Sequence, residues 1–108
     1  MIVRLSSEAQ SDLTAIHAYI AHDNEPAADR VIARILQSVQ RLEDFPELGR
    51  PGRLNGTREV SIAKTAYLAV YRIEPDLVHI LTMSTHVVSG PREVAGHLQI
   101  ARFDARRL

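Results

Sequence analysis

The chain has 108 residues, enough for one hydrophobic core of ordinary domain size and too few for two. With 45% hydrophobic residues, 24% charged residues and five each of Gly and Pro, the composition excludes a disordered or fibrous chain. The formal net charge is zero, so long-range attraction to a polyanion is weak, and the absence of cysteine excludes a disulfide framework and a Cys-based zinc site.

Residues Met1-Ile2-Val3-Arg4-Leu5-Ser6 lack the continuous apolar run of a signal peptide, which predicts a cytoplasmic protein. Ile2 to Leu5 reads as a short first strand. Ser7 followed three residues later by Gln10 has the form of a capping box and predicts a helix starting there, with Leu13, Ile16 and Ile20 on one face. Asn24 is an N-cap candidate for a second helix, and Pro26 sits in its first turn, where a missing N–H costs nothing. Ala28, Val31, Ile32, Ile35, Val39 and Leu42 then repeat at helical spacing, and Phe45-Pro46 ends the run. So short a link predicts two antiparallel helices packed as a hairpin.

Past the loop Gly49-Arg50-Pro51-Gly52-Arg53, the period changes from helical to alternating. Val60 and Ile62 mark one strand, Tyr67 to Ile73 a second and Leu77 to Ser84 a third, with Glu74-Pro75-Asp76 as the last turn. Three strands joined by short turns make an antiparallel meander, and the helical hairpin can close one of its faces. The expected fold is a two-layer α+β domain over residues 1–108, in the order β-α-α-β-β-β. Pro91, Val94, Leu98 and Ala101 allow a short C-terminal helix in an otherwise weakly patterned tail, residues 86–108.

The zero net charge conceals an asymmetry. Residues 1–48 carry four basic and eight acidic side chains, whereas residues 49–72 carry Arg50, Arg53, Arg58, Lys64 and Arg72 against Glu59 alone. Anion binding is therefore expected to be local to the loop and the strands that follow it. The loop itself is neither a Walker loop nor a dinucleotide fingerprint and reads as a turn-rich connection with solvated arginines. The histidines do not form a metal set, since His17 and His22 are five apart and share no helix face, and neither a metal nor a cofactor is expected.

The run Gly56-Thr57-Arg58-Glu59-Val60 followed by Tyr67-Leu68-Ala69-Val70-Tyr71-Arg72-Ile73, behind two helices and Phe45-Pro46-Glu47-Leu48-Gly49-Arg50, resembles the ParE/RelE superfamily of bacterial toxins. The resemblance spans about residues 2–86. It implies the toxin half of a type II toxin-antitoxin pair, neutralised by a cognate antitoxin in a hetero-oligomer, with no membrane attachment.

In the RelE branch, the resemblance implies cleavage of mRNA on the ribosome by attack of a ribose 2′-hydroxyl on the adjacent phosphate. That chemistry needs a proton acceptor, a proton donor and cationic groups against the developing charge. The catalytic candidates are Arg58, Lys64, Tyr67, Arg72 and His86. For the arginines the competing reading is an ion pair on a strand face, with Glu59 and Glu74 as neighbours. Tyr67 suits half-buried packing, and Tyr71 points opposite to Arg72. After His86 the sequence runs Val87-Val88-Ser89-Gly90-Pro91, without the basic residue and terminal aromatic of nuclease members.

One lysine and a neutral chain also suit a ribosome-bound nuclease poorly. The ParE branch, whose members bind and poison DNA gyrase, fits better, with no intrinsic catalysis. The alternatives are the RelE-like endonuclease and a non-toxic interaction module. Arg50, Arg53 and Arg58 are the residues expected to meet acidic groups of the antitoxin segment.

Overall fold

The structure, a computed structural model, describes residues 1–85. Their elements are β1 (Ile2–Leu5), α1 (Ser7–Ala21), α2 (Glu25–Gln40), a 3-10 turn (Arg41–Glu43), β2 (Arg50–Pro51), β3 (Arg58–Ser61), β4 (Tyr67–Ile73) and β5 (Leu77–Thr85). The expected C-terminal helix over Pro91 to Ala101 and the candidate His86 lie outside the described residues.

The sheet has five strands in the order β1-β5-β4-β3-β2. The meander is present as expected, with β3, β4 and β5 antiparallel to one another. Two features go beyond it. β1 lies parallel to β5, with Ile2 opposite Leu77 and Leu5 opposite Ile80, so the sheet is mixed rather than purely antiparallel. Parallel partners cannot be joined by a tight turn, and here the helical hairpin carries the chain from β1 at one edge of the sheet to β2 at the other, from which the meander returns to place β5 beside β1. The loop read as a turn-rich connection contributes β2, which pairs Arg50 with Glu59 and Pro51 with Arg58.

The first helix starts one residue earlier than the capping-box reading placed it. Ser6, not Ser7, is the N-cap, and its Oγ accepts the Ala9 N–H at 2.9 Å. Tertiary structure fixes this choice. The Ser6 N–H donates to Ile80 O at 2.9 Å and its Oγ donates to Leu81 O at 2.8 Å, so Ser6 ends the β1 ladder and caps the helix together. Asn24 caps α2 as expected, accepting the Ala27 N–H at 3.0 Å.

Helices and sheet bury one core between them. Ile16, Ile35, Val39 and Leu42 from the helical side meet Val60, Ala69, Tyr71, Val78 and Ile80 from the sheet. Alternation along β4 sends Tyr67, Ala69 and Tyr71 toward the helices and Arg72 to the opposite, outer face. A bulge opposite Val70 and Tyr71 leaves Leu81 without a partner on β4, since Val70 pairs with Thr82 and Tyr71 with Ile80. Beyond Leu5, β1 no longer covers the edge of β5, and α1 takes its place. The buried Asp12 carboxylate accepts the Met83 N–H at 3.0 Å and the Thr82 hydroxyl at 2.6 Å.

Candidate functional site

The basic stretch singled out by the sequence folds as a loop clamped onto β3 and β4. The clamp is built from strand side chains reaching loop backbone. Tyr71 is fully buried, and its hydroxyl donates to Pro46 O at 2.7 Å while accepting the Gly49 N–H at 2.8 Å. Arg58 faces the same side as Tyr71, its direct partner on β4, and Nη1 donates to Gly49 O at 2.6 Å and to Glu47 O at 3.5 Å. A side chain at Gly49 would stand 2.7 Å from Glu59 O and 2.8 Å from the Tyr71 hydroxyl, so the close approach requires glycine.

Burial raises the Tyr71 phenol above its ordinary range, and the Gly49 N–H and Arg58 oppose that rise. The phenol therefore remains a donor to Pro46 O throughout the neutral range.

The three arginines expected at the antitoxin surface occupy different settings. Arg50 shares the outer face with Glu59, its partner in register, and Nη2 lies 3.9 Å from Oε1 of that buried carboxylate. The other Glu59 oxygen accepts the Arg53 N–H at 3.2 Å, which leaves the Arg53 side chain exposed on the loop. Arg58 is engaged with loop carbonyls on the inner side. Arg50 and Arg53 are thus available to a partner, and Arg58 holds the loop that carries them.

The catalytic candidates among the described residues do not converge. Tyr67 is buried in the core, with its phenol raised by burial and by Tyr19. It stands four residues from Tyr71 along β4, about 13 Å from the register of Arg58. Lys64 occupies the exposed turn before β4 with φ 64°, a left-handed conformation uncommon for a residue with a side chain. Arg72 is on the outer face, away from both Arg58 and Tyr67. Its guanidinium lies 3.8 Å from Glu74 Oε2, and the same oxygen lies 3.6 Å from His79 Nδ1.

Sequence reasoning weighed His79 only as a metal ligand and did not place it beside Arg72. A turn centred on Pro75 and Asp76 pairs residue 72 with residue 79, so counting outward from that turn would have found it. Arg4 is the next neighbour of His79 on β1, which places Arg4, His79 and Arg72 in one row across three strands. The buried Glu59 and the Tyr71 hydroxyl were also missed as organisers of the loop. Among the described residues no group of three His, Asp or Glu side chains could hold a metal, and no helix is long and apolar enough to cross a membrane.

This two-layer arrangement is the fold of proteins solved from bacterial toxin-antitoxin systems. It superposes on a chain of the chromosomal ParDE system of P. aeruginosa with a TM-score of 0.73 and 22% identity, covering 81% of this chain and 97% of that one. A chain of the Mycobacterium tuberculosis RelBE2 toxin-antitoxin complex gives a TM-score of 0.56 at 25% identity, over 79% and 96% of the two chains.

Sequence similarity narrows the class. Residues 3–86 match the family model of the ParE toxin of type II toxin-antitoxin systems, and the chain belongs to that family, within the ParE/RelE superfamily. It is 40% identical to Y4kP of Sinorhizobium fredii over 84 residues, 78% of this chain and 88% of that protein. It is 36% identical to the toxin RelE3 of Caulobacter vibrioides over 78 residues, 70% and 84% of the two.

Proposed function

We propose that the chain is a ParE-like toxin that acts by binding, inhibits DNA gyrase in the cytoplasm and is neutralised by a cognate antitoxin. The observation that carries this reading is the dispersal of the candidate catalytic groups among the described residues. Transesterification at a phosphate needs a base, an acid and cations within hydrogen-bond reach of one reacting group. Here Arg58 is engaged with backbone carbonyls, Tyr67 is in the core and Arg72 is on the other face of the sheet. The neutral chain also offers little of the charge that ribosome binding draws on.

In this reading the antitoxin places an amphipathic segment beside the loop, its acidic groups facing Arg50 and Arg53. The electrostatic part sets association rate and register, and apolar anchors supply most of the affinity. The similarity to RelE3 supports the second reading, a ribosome-dependent endonuclease. Expression of the chain with primer-extension mapping of cellular mRNA, beside a supercoiling assay with purified gyrase, separates the two. Discrete codon-associated cuts abolished by His86→Ala or Arg72→Ala would install the nuclease. Normal growth at high soluble expression would leave only the non-toxic interaction module.

A further inference from the structure

The stretch 44–48, between the 3-10 turn and the arginines, sets two large apolar side chains on the surface, Phe45 at 57% exposure and Leu48 at 45%. They line a shallow groove of about 400 Å3 together with Asp44, Pro46 and Glu47. Glu43 immediately precedes them, and among the described residues none of these three carboxylates is in an ion pair.

Two exposed apolar residues would mean little on a mobile loop. This one is held from several directions. Phe45 N–H donates to Arg41 O at 3.0 Å and Leu48 N–H to Phe45 O at 3.0 Å. From below, Tyr71 holds Pro46 and Gly49, and Arg58 holds the carbonyls of Glu47 and Gly49. A surface ordered before docking loses little conformational entropy when it binds, which is the condition under which a few apolar anchors dominate an interface.

We propose that residues 43–48 are the surface by which the toxin engages its target protein, with Phe45 and Leu48 entering an apolar pocket rimmed by Lys or Arg. The proposal rests on the reading of the chain as a toxin that acts by binding. Charge assigns the occupant. The antitoxin segment that suits Arg50 and Arg53 is acidic, and Glu43, Asp44 and Glu47 repel such a segment while attracting a basic surface. The loop and the arginines therefore serve two partners of opposite charge.

Two variants test this: Phe45→Ser with Leu48→Ser, and Asp44→Lys with Glu47→Lys. All four side chains are exposed, so each variant is expected to keep the thermal midpoint of the parent. Growth arrest at matched expression should weaken about tenfold or more in both. Affinity for the cognate antitoxin, measured by titration, should stay unchanged in the serine variant and should hold or rise in the charge reversal, which removes the repulsion. Arrest as potent as that of the parent would show that the loop does not meet the target. Parallel loss of antitoxin affinity would give the loop to the antitoxin. Self-association of the parent that the variants abolish would give it to a second copy. Residues 102–108 of this chain carry Arg102, Phe103, Arg106 and Arg107, and binding of a synthetic peptide of that sequence to the loop would overturn the proposal in favour of the chain's own tail. A parent chain that arrests no growth would instead remove the toxin reading, and this docking site with it.

Discussion

Tyr71 is the residue on which the loop most depends, because one buried hydroxyl serves as donor to Pro46 and acceptor from Gly49. Tyr71→Phe preserves the packing of the ring and leaves a buried N–H and a carbonyl without that partner. The expected loss is about 1–3 kcal/mol in denaturant unfolding, with the fold retained. Because burial raises the phenol of Tyr71 and that of Tyr67 above the ordinary value of 10.0, the folded state holds both protons more tightly than the unfolded chain. The stability this contributes is fully present below about pH 10 and is lost as the pH rises through the folded-state values. Unfolding free energy measured from pH 8 upward should therefore fall on the alkaline side, and less steeply in Tyr71→Phe. Gly49→Ala should lower the thermal midpoint more than an ordinary loop substitution, since the new methyl meets the Glu59 backbone as well as the buried Tyr71 hydroxyl, and neither can turn away without breaking the clamp.

Among the elements, the junction of β1, α1 and β5 is where separate signals meet. Ser6 ends one ladder and caps the helix, and Asp12 reaches from that helix to the edge of β5 that β1 leaves uncovered. Asp12→Ala removes the acceptor of a buried Met83 N–H and is expected to destabilise by about 1–3 kcal/mol, with amide exchange accelerated first at Met83. The helices and the meander were legible because Ile16, Ile35 and Val39 recur at helical spacing and the strand residues alternate. The parallel place of β1 was not legible, since four residues with one alternating pair carry no sign of their partner's direction. Nor was β2, whose Arg50-Pro51-Gly52 composition reads as a turn and pairs only because Glu59 and Arg58 stand opposite. Ser7 looked the better cap by its spacing to Gln10, and the long-range bonds of Ser6 to β5 overrode that local preference.

For the whole molecule, the positive balance of residues 49–72 suggested one basic surface, and folding distributes it. Arg58 turns inward to hold the loop, Arg50 lies against Glu59 on the outer face, Arg53 projects from the loop, and Arg72 joins Glu74 and His79 further along the sheet. Linear charge counting cannot foresee this, because alternation on a strand separates neighbours to opposite faces. For antitoxin binding, Arg50→Ser with Arg53→Ser should slow association and flatten its salt dependence without unfolding the domain, the only stability cost being the Arg50 contact with Glu59, whereas Arg58→Ser should also loosen the fold. Stopped-flow association at two salt concentrations, paired with thermal unfolding, separates those effects. The claim that the protein poisons its target by binding meets its most direct test in a gyrase supercoiling assay with the purified chain, run beside a translating-ribosome extract scored for mRNA cleavage. The account predicts that supercoiling is inhibited and relieved by the antitoxin, with the mRNA left intact. Unimpaired supercoiling together with discrete, ribosome-dependent cuts in the message would contradict it.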